Sequence, residues 1–150
     1  MAGGSEVNFE RSARLGDEVG GHNVSGHVCC KATVSRVTRQ ADGNVCMRFT
    51  LQDEKWAKYL LPKGYVALNG CSLTIGESER DSETDAACFC VYLIPETLRV
   101  TVFGDLQEGD AVNVEVESQT QVIVDTVERV IAERLSRMNI DTRAEASSAA

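Results

Sequence analysis

The dipeptide Asn69-Gly70 is the sequence feature that most constrains how this chain can fold. It lies between two apolar, β-prone runs within residues 61–77 (LPKGYVALNGCSLTIGE). Asn-Gly is the pair that most readily adopts the two positive φ angles of a type I′ turn, so the sequence predicts a β-hairpin here. Strand alternation then places Ser72 and Thr74 on the same face. We expect these two hydroxyls to lie at the rim of a pocket.

Most of the chain shows the two-residue periodicity of β-strands. Residues 22–40 are predicted as one long strand bent near Gly26, and residues 45–51 alternate with the odd-numbered side chains facing inward. Further strands are predicted over residues 88–94 and 112–116. Together with the hairpin, these segments make about six strands.

Two short helical segments link the predicted strands. Asp53 can cap a helix over residues 54–60, which Pro62 ends, and Pro95 suits the first position of a helical turn. A chain of 150 residues with 43% hydrophobic content can bury one good core. The sequence therefore predicts a mainly β single domain, a small closed or nearly closed β-barrel with short helical links.

The last part of the chain has a different periodicity. Over residues 120–138 the apolar side chains recur at helical spacing, which predicts an amphipathic α-helix. The apolar stripe consists of Val124, Val127, Ile131, Leu135 and Met138. Such a stripe suits packing on the barrel and association between subunits equally well. Residues 139–150 have little to bury and are predicted to be disordered.

Charge and hydropathy exclude several classes of partner. The formal net charge is −8 and the isoelectric point is near 4.8, and a phosphate-binding surface needs clustered Lys and Arg. We therefore expect neither nucleic acid nor an anionic membrane as a partner. No run approaches the ~20 apolar residues of a membrane span, and the first residues lack an apolar signal region. A cytoplasmic protein is expected.

The six cysteines favour no metal site. They include no C-x-x-C pair, and only two histidines are present to complete a ligand set. We therefore expect no metal, and thiols that are reduced and mostly buried.

A short internal sequence match has two interpretations. Residues 7–10 (VNFE) match residues 112–115 (VNVE), the predicted last strand of the barrel. A tandem-repeat protein that lacked its first unit would show such a match. The alternative is coincidence, because the pattern is only an alternation of polar and apolar residues.

Four motifs together resemble riboflavin synthase, and specifically the second half of that enzyme. The resemblance covers roughly residues 7–135. The motifs, in order, are residues 20–28 (GGHNVSGHV), 63–75 (KGYVALNGCSLTI), 93–98 (LIPETL) and 119–129 (QTQVIVDTVER). Members of this family carry two six-stranded Greek-key barrels followed by a C-terminal helix through which subunits trimerise. The resemblance implies a closed six-stranded Greek-key barrel, and makes residues 7–10 the end of a preceding barrel.

The resemblance also implies an activity. It is the dismutation of two molecules of 6,7-dimethyl-8-ribityllumazine, in which a four-carbon unit passes from one molecule to the other. The products are riboflavin and 5-amino-6-ribitylamino-pyrimidinedione. No metal or organic cofactor is implied, because the lumazine has an acidic C7 methyl group and accepts a nucleophile at C7. The protein holds two flat rings face to face and stabilises the developing charge.

Six residues receive roles from the resemblance. Ser72 is the candidate for polarising or adding at the reacting carbon, His27 for proton transfer or hydrogen bonding, and Lys63 for supplying a cation. All three are also expected to contact the substrate. The further substrate-binding positions are Thr74, Ile94 and Thr97.

Without the resemblance, simpler interpretations are preferred for several of these residues. His27 could be an ordinary strand histidine, and Lys63 a solvated turn residue. His22 follows two glycines and is expected to serve the bend, outside the chemistry. Cys71 is predicted to pack in the core, because alternation points it away from Ser72.

The chain departs from the family pattern in having one barrel. We expect residues 1–19 to resemble the end of a preceding barrel and a linker, residues 20–118 to form the lumazine-binding barrel, residues 119–138 the helix and residues 139–150 the tail. In the family the site lies between a first barrel of one subunit and a second barrel of another. The first barrel carries Asn-Gly-Cys-Cys-Leu-Thr, where this chain has Ser72 at the second cysteine.

Two hypotheses of different class therefore stay open. The chain is a riboflavin synthase, or the catalytic half of one, whose site is completed by a second barrel from another copy or a separate polypeptide. Alternatively, it is a binding module that takes up lumazine or flavin without turnover, as in fluorescent antenna proteins of this fold. The set Ser72, Thr74, His27 and Lys63 favours the enzyme, and the missing half favours binding.

Overall fold

The computed structural model describes residue 4 and residues 6–148, with side chains described as far as residue 138. Six β-strands form the main body: β1 (Cys30–Arg39), β2 (Val45–Leu51), β3 (Tyr65–Leu68), β4 (Cys71–Arg80), β5 (Ala87–Leu93) and β6 (Ala111–Val116). The α-helices are α1 (Pro95–Val100) and α2 (Ser118–Ser148), and short 3-10 helices span Glu54–Tyr59 and Val102–Gly104.

The six strands close into an antiparallel barrel. Their order around the barrel is β1-β2-β5-β4-β3-β6, and β6 pairs with both β3 and β1 to close it. This order confirms the predicted mainly β fold with a closed six-stranded barrel. Closure pairs every strand on both sides, so no edge of the sheet is left open.

The core is made by one face of each strand. β2 alternates strictly between buried and half-buried positions, as its sequence predicts, with Phe49 stacked on Phe89 of β5 at a ring-centroid distance of 5.4 Å. Val66 and Leu68 of β3 are fully buried on the same side as Val114 of β6. A filled interior of this kind leaves the outer face of the strands to carry any site.

The Asn69-Gly70 hairpin forms as predicted. Leu68 pairs directly with Cys71, leaving a two-residue loop in which Asn69 has φ 46° and Gly70 has φ 80°. Asn69 also ties the loop to β6, because its side-chain oxygen accepts the N–H of Asn113 at 2.8 Å. The hairpin thus fixes the register of β3 and β4.

The prediction of one strand over residues 22–40 is wrong in its first part, because β1 begins at Cys30. Gly26 has φ 83°, which breaks the extended conformation. The N–H groups of Ser25 and Gly26 bond to a side chain of β6 instead of a neighbouring strand. Residues 20–28, which we call the N-terminal strap, therefore run along the barrel without joining its sheet.

Both predicted helix starts are present. The Asp53 side chain accepts the N–H of Lys55 at the beginning of the first 3-10 helix, and Pro95 occupies the first turn of α1. The Asp53 cap satisfies a backbone N–H that the short helix leaves free, whereas Pro95 has no N–H that needs a partner.

All six cysteines are free, but the expectation that most are buried is wrong. Cys88 and Cys90 are buried, and the other four are half-buried. Burial nevertheless raises the pKa of Cys30 to about 11 and raises the pKa of Cys71, where Glu10 adds to the effect. The thiols of these two residues are held protonated at neutral pH.

α2 is a separate compact unit that starts at Ser118. It extends beyond residue 138, where the apolar pattern ends. Val127, Ile131 and Leu135 of the predicted stripe are each more than half exposed. The predicted tail, residues 139–150, lies outside the residues whose side chains are described, so its disorder stays a prediction. The helices within the described part of the chain are too short or too polar to span a bilayer.

Gly70→Ala tests the turn. A Cβ at φ 80° is strained, so we expect the free energy of unfolding to fall by roughly 1 kcal/mol. Gly70→Asn is the matched control, because Asn tolerates positive φ better and should cost less. Urea denaturation followed by Trp56 fluorescence measures both variants, and equal losses would contradict the type I′ assignment.

Candidate functional site

A row of three residues crosses the outer face of the barrel. Glu115 of β6 pairs with Ala67 of β3, which pairs in turn with Ser72 of β4. Residues directly opposite each other on neighbouring strands share a face, and Leu68 and Val114 occupy the inner one. Ser72 and the row therefore face outward, and the hydroxyl lies on the surface of the barrel instead of inside it.

The N-terminal strap covers this row. Glu115 accepts two hydrogen bonds from Ser25 on one carboxylate oxygen, from its N–H at 2.7 Å and its hydroxyl at 2.9 Å. The N–H of Gly26 donates to the other oxygen at 3.0 Å. Ala67, in the middle of the row, is only 1% exposed. The strap is thus held closely against the outer face of β3 and β6.

The strap brings an imidazole to Ser72. Ser72 Oγ accepts the backbone N–H of His22 at 3.0 Å, and His22 Nδ1 lies 2.6 Å from the same oxygen. Because the backbone N–H can only donate, the hydroxyl hydrogen is free to point at Nδ1. In that arrangement His22 can receive the proton of Ser72. A hydroxyl beside a base is the general form of an activated nucleophile or proton donor.

The position of His22 depends on its neighbours. Its ring stacks on Tyr65 at a centroid distance of 5.3 Å and an angle of 19°. Its Nε2 atom is buried without a hydrogen-bond partner among the described residues. A Cβ on Gly21 would lie 2.4 Å from Ser72 Oγ, so only glycine allows the strap to approach this closely. The stacking and the close approach together fix the imidazole at the hydroxyl.

Thr74 lies next along the same outer face. It pairs with Tyr65, whose ring stacks on the imidazole of His22. Thr74 is exposed and Tyr65 is 40% exposed. The predicted placement of Ser72 and Thr74 on one face agrees with this register.

His27 and Lys63 lie at opposite ends of the candidate site. His27 Nδ1 is 3.2 Å from Ser25 Oγ, so the structure places it beside the Glu115 contact and puts His22 beside Ser72. Lys63 is exposed at φ 67°, and its N–H donates to the carbonyl of Ile75 at 2.8 Å. Lys63 is therefore anchored by its backbone just beyond Thr74.

Ile94 and Thr97 approach from β5, the other neighbour of β4. Ile94 is the N-cap of α1 and is 56% exposed. Thr97 is half-buried, and its carbonyl accepts the Thr101 hydroxyl at 2.5 Å. The strand order β5-β4-β3-β6 places β5, which α1 follows in the chain, next to the strand that carries Ser72 and Thr74.

The structure also bears on metal binding, on a cysteine nucleophile and on other cavities of the barrel. Within the part of the chain that the structure describes, no group of three or more His, Cys, Asp or Glu side chains could hold a metal ion. Cys71 shares the inner face with Leu68, and its raised pKa makes it a poor nucleophile. Two cavities lined by Arg36, Arg48 and Glu79 lie elsewhere on the barrel.

Sequence reasoning missed three residues of this site: His22, Tyr65 and Glu115. Glu115 has the alternation of an exposed residue, and it is buried only because the strap covers it. A signal for His22 was present in Gly20-Gly21, since paired glycines mark close backbone approach as well as a bend. Deciding between these meanings requires knowing what the strap contacts.

Comparison with protein families gives one match over most of the barrel. Residues 25–117 match the model of the family described as "Lumazine binding domain". This range begins within the strap and ends directly after β6.

Curated relatives extend the match along the chain. It is 44% identical over 136 residues to riboflavin synthase of Escherichia coli strain K12, covering 91% of this chain and 61% of that protein. It is 42% identical over 134 residues to riboflavin synthase of Chlamydia muridarum, covering 89% of this chain and 62% of that protein. The chain thus spans less than two thirds of the length of these relatives.

Solved structures support the fold. A crystal structure of LumP complexed with 6,7-dimethyl-8-(1'-D-ribityl) lumazine superposes with a TM-score of 0.56 at 23% identity, covering 69% of this chain and 51% of that one. A structure of LumP complexed with riboflavin gives a TM-score of 0.52 at 23% identity, covering 69% and 52%. At this identity the similarity establishes the barrel architecture.

Gly21→Ala tests the contact between His22 and Ser72. The new Cβ meets Ser72 Oγ, so we expect the strap to move and the His22 amide to exchange its hydrogen roughly tenfold faster, the loss of about one hydrogen bond. Gly20→Ala is the matched control, because its Cβ meets nothing within 4 Å. Hydrogen exchange measured by NMR would refute the contact if both variants behaved like the wild type.

Proposed function

Because this chain belongs to the lumazine-binding domain family, we propose that it is a riboflavin synthase or the catalytic half of one. The proposed reaction joins two molecules of 6,7-dimethyl-8-ribityllumazine, transfers a four-carbon unit between them, and yields riboflavin and 5-amino-6-ribitylamino-pyrimidinedione. The observation that carries the proposal is the Ser72 hydroxyl, held on an outward face with an imidazole 2.6 Å away. The 44% identity to an enzyme named riboflavin synthase supports the same conclusion.

Ser72 and His22 are the proposed reacting pair. His22 accepts the Ser72 proton through Nδ1, and the serine oxygen then adds to, or hydrogen-bonds at, the electron-poor C7 of the lumazine. The same pair returns the proton when the oxygen leaves. His22 therefore joins the catalytic set of Ser72, His27 and Lys63 that the sequence predicts, at the position closest to the serine.

His27 and Lys63 act at the periphery of the ring in this proposal. His27 relays a proton or donates a hydrogen bond, with Ser25 orienting its Nδ1 atom. Lys63 is exposed and supplies a positive charge to the anion that forms when the C7 methyl group loses its proton. Neither role requires a bound metal or organic cofactor.

Thr74, Ile94 and Thr97 are the proposed contacts for the flat ring and its polar edge. Ile94 is apolar and 56% exposed, so its side chain is accessible to a flat ring. Thr74 is an exposed hydroxyl on the same outer face as Ser72. An apolar surface with a few placed hydroxyls suits a ribityl-substituted ring system.

The second substrate requires a second surface. The chain spans 61% of the length of the Escherichia coli relative, and the family match covers one barrel. We propose that the site is completed by another barrel, from a second copy or from a separate polypeptide. The free thiols agree with a reducing compartment, and we propose the cytoplasm.

A second candidate function is a lumazine-binding or flavin-binding module without turnover. The observation that favours it is that the barrel of residues 30–116 presents one outward face for one ring. Binding to one face satisfies recognition, whereas transfer between two rings needs both to be held in contact.

Incubation of the purified chain with the lumazine distinguishes these functions. Riboflavin formation is followed by absorbance and fluorescence, for the chain alone and with the first half of the Escherichia coli enzyme added. We expect product at least in the mixture. Tight binding without product in either sample would reject the enzyme and establish the binding module.

Ser72→Ala tests the role of the hydroxyl. If Ser72 acts in the transition state, kcat should fall by roughly 10²-fold or more, while the Kd for the lumazine changes by less than about tenfold. Ser82→Ala, on the loop after β4, is the control hydroxyl and should leave both constants unchanged. Equal losses in kcat and binding for Ser72→Ala would reassign this residue to simple recognition.

We also propose that α2 associates with other copies, because the apolar side chains of its stripe are exposed. Met138, at the end of the stripe, is 63% exposed, and Val122, beside the stripe, is 65% exposed. A chain that ends at Ser118 should show a smaller apparent oligomer by light scattering, with unchanged far-ultraviolet signal from the barrel. An oligomer that persists without α2 would contradict this role.

A further inference from the structure

Glu115 is an anomaly in the outer face of the barrel. Among the residues whose burial is described, it is the only buried charged side chain, at 7% exposure. Its neighbours in sequence on β6, Val114 and Val116, face the core, whereas Glu115 faces outward beneath the strap. A buried carboxylate is costly unless hydrogen bonds replace the water that it loses.

The strap supplies those hydrogen bonds. Ser25 donates through its N–H and its hydroxyl, and Gly26 donates through its N–H, all within 3.0 Å of the carboxylate. Charge-assisted bonds of this type are stronger than bonds between neutral groups. The carboxylate thus depends on the strap for its hydrogen bonds, and the strap in turn gains three charge-assisted hydrogen bonds from this carboxylate.

Because the strap between Ser25 and His22 is short, the contact with Glu115 determines where His22 lies. From Glu115 to Ser72 the row crosses two strand spacings, about 9.6 Å. The three residue steps from Ser25 back to His22 span at most about 10–11 Å when extended. The chain between the two anchors is therefore nearly taut. A slip of one residue at Glu115 moves His22 by about 3.3 Å, which removes it from Ser72.

The other end of the strap is fixed independently. The N–H of Cys29 donates to the carbonyl of Val114 at 2.8 Å, immediately before β1 joins β6. Gly26 at φ 83° sets the direction of the chain between Cys29 and Ser25. The Glu115 carboxylate then determines where the remaining residues cross the barrel.

We infer that Glu115 is a positioning residue, which sets the register of the N-terminal strap and through it holds His22 against Ser72. It does not touch the reacting atoms in this assignment. Its consequence for turnover rests on the proposed function, whereas its structural role does not.

Glu115→Gln tests the inference with little change of shape. One carboxylate oxygen becomes an NH₂ group, which cannot accept the strap N–H that the oxygen accepted. We expect the amides of His22, Ser25 and Gly26 to exchange their hydrogens roughly tenfold faster or more. Glu108→Gln is the matched control, because that carboxylate accepts one backbone N–H, from Val37, and lies outside the strap. Unchanged exchange at His22 in Glu115→Gln would overturn the inference.

Deletion of Asn23 provides a second test that leaves Glu115 intact. Two residue steps span at most about 7 Å, which is too short for the two strand spacings. Protection should persist at Ser25 and Gly26 and be lost at His22. Loss at all three positions, or protection at His22, would contradict a register set by Glu115.

The functional consequence is measured separately. In Glu115→Gln we expect kcat for riboflavin formation to fall by at least tenfold. The Glu108→Gln control should keep the wild-type kcat and the wild-type hydrogen exchange at His22. If the wild-type chain neither binds nor converts the lumazine, the proposed function fails, and hydrogen exchange still decides the role of Glu115. Normal kcat in Glu115→Gln, with an active wild type, would overturn the positioning role.

Discussion

Closure of the barrel by β6 is the constraint on which the rest of the structure depends. β6 pairs with β1 on one side and β3 on the other, so the faces of all three strands are set by one register. With Val112, Val114 and Val116 packed in the core, Glu115 can only face outward. The same register carries through Ala67 to Ser72. The register of β6, fixed by its packing in the core, thus places a carboxylate and a hydroxyl in one row on the outer face.

The strap adds the imidazole of His22 to that row of residues and so completes the candidate site. Glu115 and Ser72 lie on strands of the rigid barrel, whereas His22 lies on a segment outside the sheet. Hydrogen bonds at both ends hold the segment, and the ring of Tyr65 supports the imidazole from below. A group on a loop gains the precision of the scaffold when its anchors belong to the scaffold. For the proposed reaction, this places a base at the serine before any substrate arrives.

Most of the fold could be predicted from local pattern. The Asn69-Gly70 turn, the alternation of β2 and the helix starts at Asp53 and Pro95 each follow from neighbouring residues, and each is present. The prediction of a strand over residues 22–29 is wrong, because alternation alone does not tell a strand from an extended segment that bonds to side chains. The importance of His22 and Glu115 depends on long-range contacts. His22 and Ser72 are 50 positions apart in the chain, and Ser25 and Glu115 are 90 positions apart. No local period carries that information.

The geometry also separates recognition from turnover. Ser72 and Thr74 belong to the outer face of a barrel whose interior is filled, so a flat ring bound there is covered by the protein on one side. Transfer between two rings requires the uncovered side to meet the second ring in a fixed orientation. A single barrel cannot supply that orientation from its own face, whereas a second face can. Under the proposed function, the residues of this chain therefore determine the chemistry at one substrate, and assembly determines whether the reaction proceeds.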